Sequence, residues 1–354
     1  TLFRSEVIYD KTGIQFLNFN TLYQLYVEER ELLAQADKIL LIPDYIAYVL
    51  TGKIAGEVSN VSTTQLLNLD QRDYDPALLE ALQLTKDKFP PLVETGQSLG
   101  KVKSEHYVHY DLPELEVIAV ATHDTASAVV GVPATSGNWA YLSSGTWSLI
   151  GVENHEPLTS QEAYQANYTN EWGAYQTYRF LKNITGMWCI QEIARLYDYR
   201  YSFGEMAEQA RQVEPFQQTI DVNDERFTNP ANMIEEIQAA CREKGEPVPE
   251  TVGELVMCVY SSLAKAYARE WQELERLTGR FCQYLHIVGG GSNVALLNQL
   301  TANCIGKPVL AGPGEATAIG NILVQMISKG TFTDLVEARN WLAENIDLTT
   351  YYPE

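Results

Sequence analysis

The chain has 354 residues, 45% of them hydrophobic and 20% charged, and it carries a net charge of -21 at pH 7. This is the composition of a globular protein, and the length suits about two domains. The negative charge repels nucleic-acid backbones and anionic membranes, so neither is an expected partner. No apolar run is long enough to span a bilayer, and the first residues do not resemble a signal peptide. We therefore expect a cytoplasmic protein.

The five cysteines are widely spaced and odd in number, and no two of them form a CxxC pair. A disulfide framework or a structural zinc site is therefore not expected, and the thiols are predicted to lie in the core. His106 and His109 are three residues apart. Without Cys or carboxylate companions they would make a poor metal site.

Helix boundaries in the first third of the chain are marked by capping residues. The stretch NTLYQLYVEERELLAQAD predicts one helix that starts at Asn20 or Thr21. IPDYIAYVLTGK predicts a second helix that begins at Pro43 and ends at Gly52, and Asp75 is predicted to cap a third. The apolar face of the first of these helices is predicted to hold Leu22, Leu25, Tyr26, Leu32 and Leu33.

Two stretches before residue 133 are predicted to be strands. SNVSTTQLLNL passes from a Ser/Thr-rich turn into apolar residues. LEVIAVAT is a continuous run rich in β-branched side chains, the pattern of a strand buried on both faces of a mostly parallel sheet. It leads directly into His123, Asp124 and Thr125, and the small residues that follow them predict a helix.

The character of the sequence changes after residue 133, and we place a domain boundary between residues 133 and 134. NWAYLSSGTWSLIGVE predicts two strands around a Ser-Ser-Gly-Thr turn, and LKNITGMWCIQEIARLYDY predicts a loop followed by an amphipathic helix. A long helix is predicted to end at Gly279, and a last helix to start at Thr333 or Asp334. Residues 284–327 alternate strand, loop and helix, which is typical of α/β proteins.

The polar trio His123, Asp124 and Thr125 is the first candidate site. An Asp brought by a buried strand to the start of a helix lies where open α/β sheets bind ligands, and its carboxylate could act as a general base. For an arbitrary Asp in this position, the commoner role is to cap the helix by accepting a free backbone N–H. Both roles stay open on the residues alone.

Two further loops are predicted at strand ends. The Ser-Ser-Gly-Thr stretch 143–146 could hold an anion with hydroxyl and backbone donors, or it could be an ordinary hairpin turn. The glycine loop 289–291 would let a flat or charged ligand approach the backbone, although three glycines more often make a tight turn. Asn183, in a predicted loop, and Gln191, on a predicted helix, could bind a ligand, but by spacing alone each is better explained as a surface polar residue.

Several strong motifs are missing from the sequence. It contains no GxxxxGKS/T phosphate loop, no GxGxxG after a strand, no GxSxG nucleophile elbow and no HExxH zinc motif. P-loop kinases, Rossmann dehydrogenases, α/β-hydrolases and zincins are therefore disfavoured.

Four ordered motifs resemble the FGGY family of carbohydrate kinases: VAVATHDTASAVVG, AYLSSGTWSLIG, LKNITGMWCIQ and LHIVGGGSNVALLNQL. Three stretches nearer the start of the chain also resemble this family: FNTLYQLY, IPDYIAYVLTGK and STTQLLNL. The resemblance therefore covers nearly the whole chain. The Thr-His pair directly before Asp124 resembles the sequence at this position in the members that act on L-rhamnulose. Members that act on L-fuculose are the nearest alternative.

The resemblance implies an α/β fold of two actin-like, ribonuclease H-like domains with mixed sheets, flanking helices and a ligand cleft between them. Residues 1–133 would be the remainder of an N-terminal sugar-binding domain, and residues 134–354 a C-terminal nucleotide-binding domain. The implied reaction transfers the γ-phosphoryl group of ATP, with Mg²⁺, to the 1-hydroxyl of L-rhamnulose. The oligomeric state stays open between monomer and homodimer.

The resemblance also assigns roles to single residues. Asp124 would be the catalytic base that accepts the proton of the sugar hydroxyl. The implied sugar contacts are His123, Thr125 and Asn183. The implied ATP contacts are Thr146, Gln191, Gly290 and Gly291.

Residues 1–20 depart from the family pattern. Family members begin with a strand pair that carries an Asp and a Gly/Ser/Thr-rich loop for the ATP phosphates and the metal, and nothing in these residues matches it. We therefore expect this phosphate-binding segment to lie outside the chain. Two alternatives are kept, namely another ketose kinase of the family, such as one for L-fuculose, and a non-catalytic sugar-sensing module or inactive fragment.

Overall fold

The structure, a computed structural model, describes residues 4–103, 105 and 107–354. His106, considered above as a metal ligand, lies outside the described residues. The chain folds into two compact units, each built from segments that are distant in sequence. The first unit is made of Thr1–Gly131, Glu153–Leu181 and Thr317–Leu342, and the second of Val132–Val152, Lys182–Ala316 and Ala343–Glu354.

Helices and strands alternate along the described chain. The α-helices are α1 (Ser5–Thr12), α2 (Thr21–Val27), α3 (Arg30–Gln35), α4 (Ile42–Thr51), α5 (Val58–Val61), α6 (Pro76–Ala81), α7 (Asp124–Val130), α8 (Gln161–Gln165), α9 (Trp188–Leu196), α10 (Phe203–Ala210), α11 (Met233–Lys244), α12 (Val252–Thr278), α13 (Ala295–Ile305), α14 (Ala316–Ser328) and α15 (Leu335–Asn345). The strands are β1 (Gly56–Glu57), β2 (Leu67–Asn68), β3 (Asp73–Tyr74), β4 (Leu92–Val93), β5 (Ser98–Lys101), β6 (Glu116–Ile118), β7 (Trp139–Ser144), β8 (Trp147–Asn154), β9 (Thr169–Trp172), β10 (Tyr178–Thr185), β11 (Tyr284–Val288), β12 (Val309–Ala311) and β13 (Thr349–Tyr351).

The predicted helix ends in the first unit are confirmed at α4 and α6. Gly52 closes α4 with a positive φ of 74°, and its N–H bonds to the carbonyl of Tyr48. Asp75 caps α6 by accepting from the N–H groups of Ala77 and Leu78. These ends were predictable because capping depends on neighbouring residues only.

The single helix predicted after Asn20 is wrong, because the chain forms α2 and α3 with a break at Glu28 and Glu29. Glu28 is extended, with φ -67° and ψ 152°. The Arg30 side chain donates to the carbonyl of Tyr26, near the end of α2, and to that of Leu82. Arg30 thus satisfies a carbonyl near the end of α2 and at the same time ties this break to Leu82, 52 residues away.

Two strand predictions in the first unit are corrected by the structure. SNVSTTQLLNL is mostly helical, forming α5 and a 3₁₀ turn over Ser62–Thr64, and only β2 is a strand. LEVIAVAT contributes β6, which is partly exposed and pairs with β5 in a two-stranded antiparallel sheet. An apolar run favours a strand, but it fixes neither how far the strand is buried nor which strand it pairs with.

The second unit contains a mixed sheet with the strand order β13-β12-β11-β7-β8-β10. The predicted hairpin is confirmed, since β7 and β8 pair antiparallel. Strand β11 lies parallel to both β7 and β12, and β13 returns antiparallel to β12. Strands β8 and β10 each continue across a unit boundary, and the part of β10 in the first unit pairs antiparallel with β9.

The predicted long helix is α12. A capping box begins it, because the Thr251 side chain accepts from the N–H of Glu254 while the Glu254 carboxylate accepts from the N–H of Thr251. Gly279 ends it with a positive φ of 66°. Its buried stripe packs against α10 and α13, so α12 is the scaffold of the second unit.

The five cysteines are free, and the assignment as core thiols is confirmed for the four that are buried, whereas Cys304 is only partly buried. The last predicted helix is also confirmed: α15 follows Asp334, which accepts from the N–H of Glu337. In the part of the chain that the structure describes, every helix is too short or too polar to cross a membrane.

Candidate active site

The loop before α7 is held by a buried carboxylate at the end of β1. Oε2 of Glu57 accepts from the backbone N–H of Thr122 at 2.9 Å and from its hydroxyl at 3.1 Å. The same oxygen accepts from the N–H of Ser59, and Oε1 accepts from the hydroxyl of Thr95. Both oxygens are thus satisfied, and the path of the chain into His123 is fixed.

Asp124 is the first residue of α7 and presents an exposed carboxylate. Its side chain is 81% exposed, and its Oδ1 accepts from the N–H of the next residue, Thr125, at 2.7 Å. His123 is the N-cap residue but makes no side-chain capping bond, and Asp124 itself accepts one free N–H of the first turn, so its carboxylate serves the helix start while most of it is exposed. Thr125 is nearly buried, with its hydroxyl 3.4 Å from the same oxygen.

Helix α14 fixes the position of α7 within the first unit. The hydroxyl of Thr317 donates to the carbonyl of Asp124 at 3.1 Å, and Ser127 donates to the side chain of Asn321 at 2.6 Å. Gly320 lies so close that a Cβ added there would stand 1.8 Å from the carbonyl oxygen of Ser127. The helix that carries Asp124 therefore has little freedom to shift against α14.

The imidazole of His123 lies between the Asp124 carboxylate and a buried ion pair. Its Nδ1 is 2.8 Å from Nη2 of Arg179 and 3.2 Å from Oε2 of Glu171, while its Nε2 is 3.6 Å from Oδ1 of Asp124. Burial raises the pKa of the Glu171 carboxyl, but the guanidinium of Arg179 outweighs that effect and holds the pKa below its usual range. Glu171 is therefore ionised near neutral pH.

In the second unit, the Ser-Ser-Gly-Thr stretch adjoins the start of α9. Ser143 and Ser144 belong to β7, which leaves Gly145 and Thr146 as the turn. The carbonyl of Gly145 accepts from the N–H of Met187, and that of Thr146 accepts from the N–H groups of residues 186 and 188. The hydroxyl of Thr146 also lies 3.3 Å from both side-chain polar atoms of Gln191, so the structure brings these two predicted residues together.

The glycine loop packs directly on the end of β7. A Cβ at Gly291 would stand 2.0 Å from the hydroxyl oxygen of Ser144, and one at Gly289, where φ is +82°, would stand 2.9 Å from its carbonyl oxygen. A Cβ at Gly290 would meet nothing within 4 Å. The two outer glycines are needed for this close approach, whereas Gly290 leaves open space beside the backbone.

A cavity of about 490 Å³ lies beside these loops, within the range of small-molecule sites. Gln191, Gly290 and Gly291 line it, together with Gly145 of the turn. Its apolar walls come from Met187, Phe203, Ala207, Tyr260 and Leu296.

Sequence reasoning missed α10, which supplies Phe203 and Ala207 to this cavity. The signal was present as a capping box, in which Ser202 and Glu205 bond each other's backbone N–H groups.

Asn183 does not lie in a loop, as was predicted, but within β10, where it is partly buried. The loop prediction failed because LKNIT carries a lysine and an asparagine, which are unusual in strands, while strand pairing is decided by partners elsewhere in the chain. Asn183 belongs to the second unit, and His123, Asp124 and Thr125 belong to the first.

Among the described residues, no group of three or more His, Cys, Asp or Glu side chains is arranged to hold a metal ion. Mg²⁺ often takes only one or two carboxylates and completes its shell with water and phosphate oxygens. The exposed carboxylate of Asp124 fits that chemistry, whereas the oxygens of Glu57 are already used by protein donors.

Comparison with solved structures shows the class of fold. A ligand-bound xylulose kinase from Lactobacillus acidophilus superposes with a TM-score of 0.75 at 17% identity, covering 99% of this chain and 71% of that one. A glycerol kinase from Plasmodium falciparum with ADP superposes with a TM-score of 0.77 at 14% identity, covering 99% and 71%. The expected actin-like fold of two α/β domains is confirmed.

Comparison with family models gives the family. The N-terminal domain model of the FGGY family of carbohydrate kinases matches residues 2–131, and the C-terminal domain model matches residues 140–328. The chain belongs to the FGGY family of carbohydrate kinases.

Curated relatives share about half of their aligned residues with this chain. A rhamnulokinase from Ligilactobacillus salivarius is 55% identical over 349 residues, which is 99% of this chain and 72% of the relative. A rhamnulokinase from Bacillus subtilis is 53% identical over 347 residues, which is 98% of this chain and 72% of the relative.

Proposed function

We propose that the protein is an ATP-dependent kinase that phosphorylates the 1-hydroxyl of L-rhamnulose, giving L-rhamnulose 1-phosphate and ADP. The observation that carries the substrate is the similarity to rhamnulokinases, which reaches 55% identity over 99% of the chain. The exposed carboxylate of Asp124, on a rigidly held helix start, supports the chemistry.

Asp124 is proposed as the general base. It accepts the proton of the sugar 1-hydroxyl as that oxygen forms a bond to the γ-phosphorus, and the bond from the γ-phosphorus to the bridging oxygen of ADP breaks. Phosphoryl transfer needs positioning and charge neutralisation more than covalent help from the protein, so one carboxylate is sufficient for the proton. The proposed sugar contacts are His123, Thr125 and Asn183.

The cavity of the second unit is proposed to take the nucleotide. Its apolar walls suit a flat base, and the open backbone at Gly290 lets a ligand approach closely. Gln191, Gly290 and Gly291 would line the nucleotide, and Thr146 would contact a phosphate through its hydroxyl. We accordingly assign sugar binding to the region 1–133 and nucleotide binding to the region 134–354.

Mg²⁺ is proposed as the ion that accompanies ATP. When bound, it supplies neutralisation of the phosphate charge. Asp124 is the residue whose donor chemistry suits it. The free cysteines fit a reducing compartment, which supports a cytoplasmic location.

Replacing Gly290 by valine is expected to raise the Kd for ADP about tenfold without lowering the thermal midpoint. The added side chain meets no protein atom at its Cβ but occupies the space beside the backbone. Calorimetric titration with ADP measures the affinity. Gly137→Ala, at another position with nothing within 4 Å, is the control and should bind ADP as the parent chain does. Unchanged affinity in Gly290→Val would exclude the nucleotide from this loop.

The activity is tested by coupled ADP release with L-rhamnulose, L-fuculose, L-ribulose and D-xylulose as acceptors. We expect L-rhamnulose to have the highest kcat/KM of the four. A higher kcat/KM for L-fuculose would overturn the assignment of L-rhamnulose as the substrate but would leave the assignment as a sugar kinase unchanged. Sugar binding by calorimetry without any sugar-dependent ADP release would favour the non-catalytic alternative.

A further inference from the structure

The hairpin of β9 and β10 places a buried ion pair behind the ring of His123. Glu171 and Arg179 are direct partners in the antiparallel register, so their side chains lie on the same face of the hairpin. Nη2 of Arg179 is 2.8 Å from Oε2 of Glu171, and the two side chains are 0% and 9% exposed. The guanidinium is thus held in one place by a neighbouring strand.

The contact between Arg179 and His123 constrains where the imidazole carries its proton. A guanidinium has N–H donors and no acceptor. Nη2 lies 2.8 Å from Nδ1 of His123, closer than Oε2 of Glu171 at 3.2 Å, so we assign Nδ1 as the acceptor of the guanidinium N–H. A neutral imidazole with Nδ1 as acceptor carries its proton on Nε2, the nitrogen on the side of Asp124. The ring therefore offers an N–H donor on that side.

This arrangement is poorly explained by stability alone. Nε and Nη1 of Arg179 are buried and have no hydrogen-bond partner among the described residues. A buried charge with unsatisfied donors is costly, and replacing a buried ion pair by neutral side chains of similar volume is often harmless to stability. Replacing Glu171 and Arg179 by neutral side chains would, however, remove the contact between Arg179 and His123.

We propose that Arg179, held by Glu171, is a positioning residue that fixes the orientation and the protonated nitrogen of His123, so that Nε2–H donates a hydrogen bond to a hydroxyl of the sugar. The sugar part of this inference rests on the proposed function, while the arrangement of the ring does not. The roles of Glu171 and Arg179 are distinct from those of the groups that contact substrate.

The state of the ring is tested by ¹⁵N NMR of the histidine-labelled full chain at pH 8. The chain has five histidines, and His123→Gln identifies the signals of His123. We expect the Nε2–H form in the parent chain and a mixture of both neutral forms in Glu171→Gln/Arg179→Met. This double variant keeps a neutral buried pair, so it should fold. Unchanged His123 signals in the double variant would overturn the proposal, and the signals of the other histidines serve as internal controls.

The consequence for the sugar is tested by kinetics and calorimetry on the same variants. The double variant should raise the KM and Kd for L-rhamnulose about tenfold, the effect of one misplaced hydrogen bond, and leave the KM for ATP unchanged. Arg179→Lys keeps a charged donor, so its KM and Kd for L-rhamnulose should lie between those of the parent chain and those of the double variant.

Arg226→Met/Glu243→Gln removes an exposed Arg–Glu pair with a similar 2.8 Å contact and should change neither constant. If the double variant changes the protonated nitrogen of His123 but leaves the Kd for L-rhamnulose unchanged, the proposed hydrogen bond from His123 to the sugar is overturned. If the chain shows no kinase activity, the NMR result and the sugar Kd still decide this inference, so its failure is separable from that of the proposed function.

Discussion

Replacing Asp124 by asparagine is expected to lower kcat for sugar phosphorylation by about 10³-fold, the usual contribution of a general base. The asparagine oxygen can still accept from the N–H of Thr125, and the side chain is mostly exposed, so the helix start should be kept. Steady-state ADP release measures kcat. Calorimetric titration should show that the Kd for L-rhamnulose changes by less than about threefold, since the base acts in the transition state.

The matched control for this prediction is Asp334→Asn. Asp334 precedes α15 in the same unit and accepts from the N–H of Glu337, a role that asparagine fills equally well. The control should keep both kcat and the thermal midpoint. Near-normal turnover in Asp124→Asn would contradict the assignment of the base, and a large fall in its thermal midpoint would show that the carboxylate has a structural role instead.

Gly320→Ala is expected to destabilise the protein by about 3 kcal/mol, at the upper end for overpacking. The added Cβ would stand 1.8 Å from the carbonyl oxygen of Ser127, and this neighbour is backbone that cannot rotate away. Helix α14 would have to move away from α7, which would strain the bond from Thr317 to the carbonyl of Asp124. Both the denaturation midpoint and kcat/KM should therefore fall.

Gly137→Ala is the control for this steric effect, since a Cβ there meets nothing within 4 Å. Its denaturation midpoint should lie close to that of the parent chain. An unaltered midpoint in Gly320→Ala would show that α7 and α14 can separate at little cost. In that case, the rigid support that we assign to Asp124 would be absent.

Local signals in the sequence predicted the helix ends well. Asp75, Gly52 and Gly279 were each assigned from the residues next to them, and the structure shows each in the expected role. The hairpin of β7 and β8 was also predicted, because a short turn between two apolar arms allows only antiparallel pairing. Such features require no knowledge of distant parts of the chain.

Predictions that depended on pairing partners were less successful. LEVIAVAT has the composition of a buried parallel strand, yet β6 lies in a two-stranded antiparallel sheet, because burial and pairing depend on which other segments adjoin it. The break between α2 and α3 likewise involves the contact of Arg30 with Leu82. Helical periodicity through Glu28 contained no sign of that contact.

By itself, the sequence determined the family, the helix caps and the candidate carboxylate at Asp124, because these depend on ordered motifs and on neighbouring residues. Only the tertiary structure decided what surrounds the candidate residues. It showed that Glu57 accepts from the N–H of Thr122, that Gly291 packs on Ser144, and that Arg179 contacts the imidazole of His123. The physical reason is distance along the chain: the last of these contacts joins residues 56 positions apart, and no local pattern specifies such a pair.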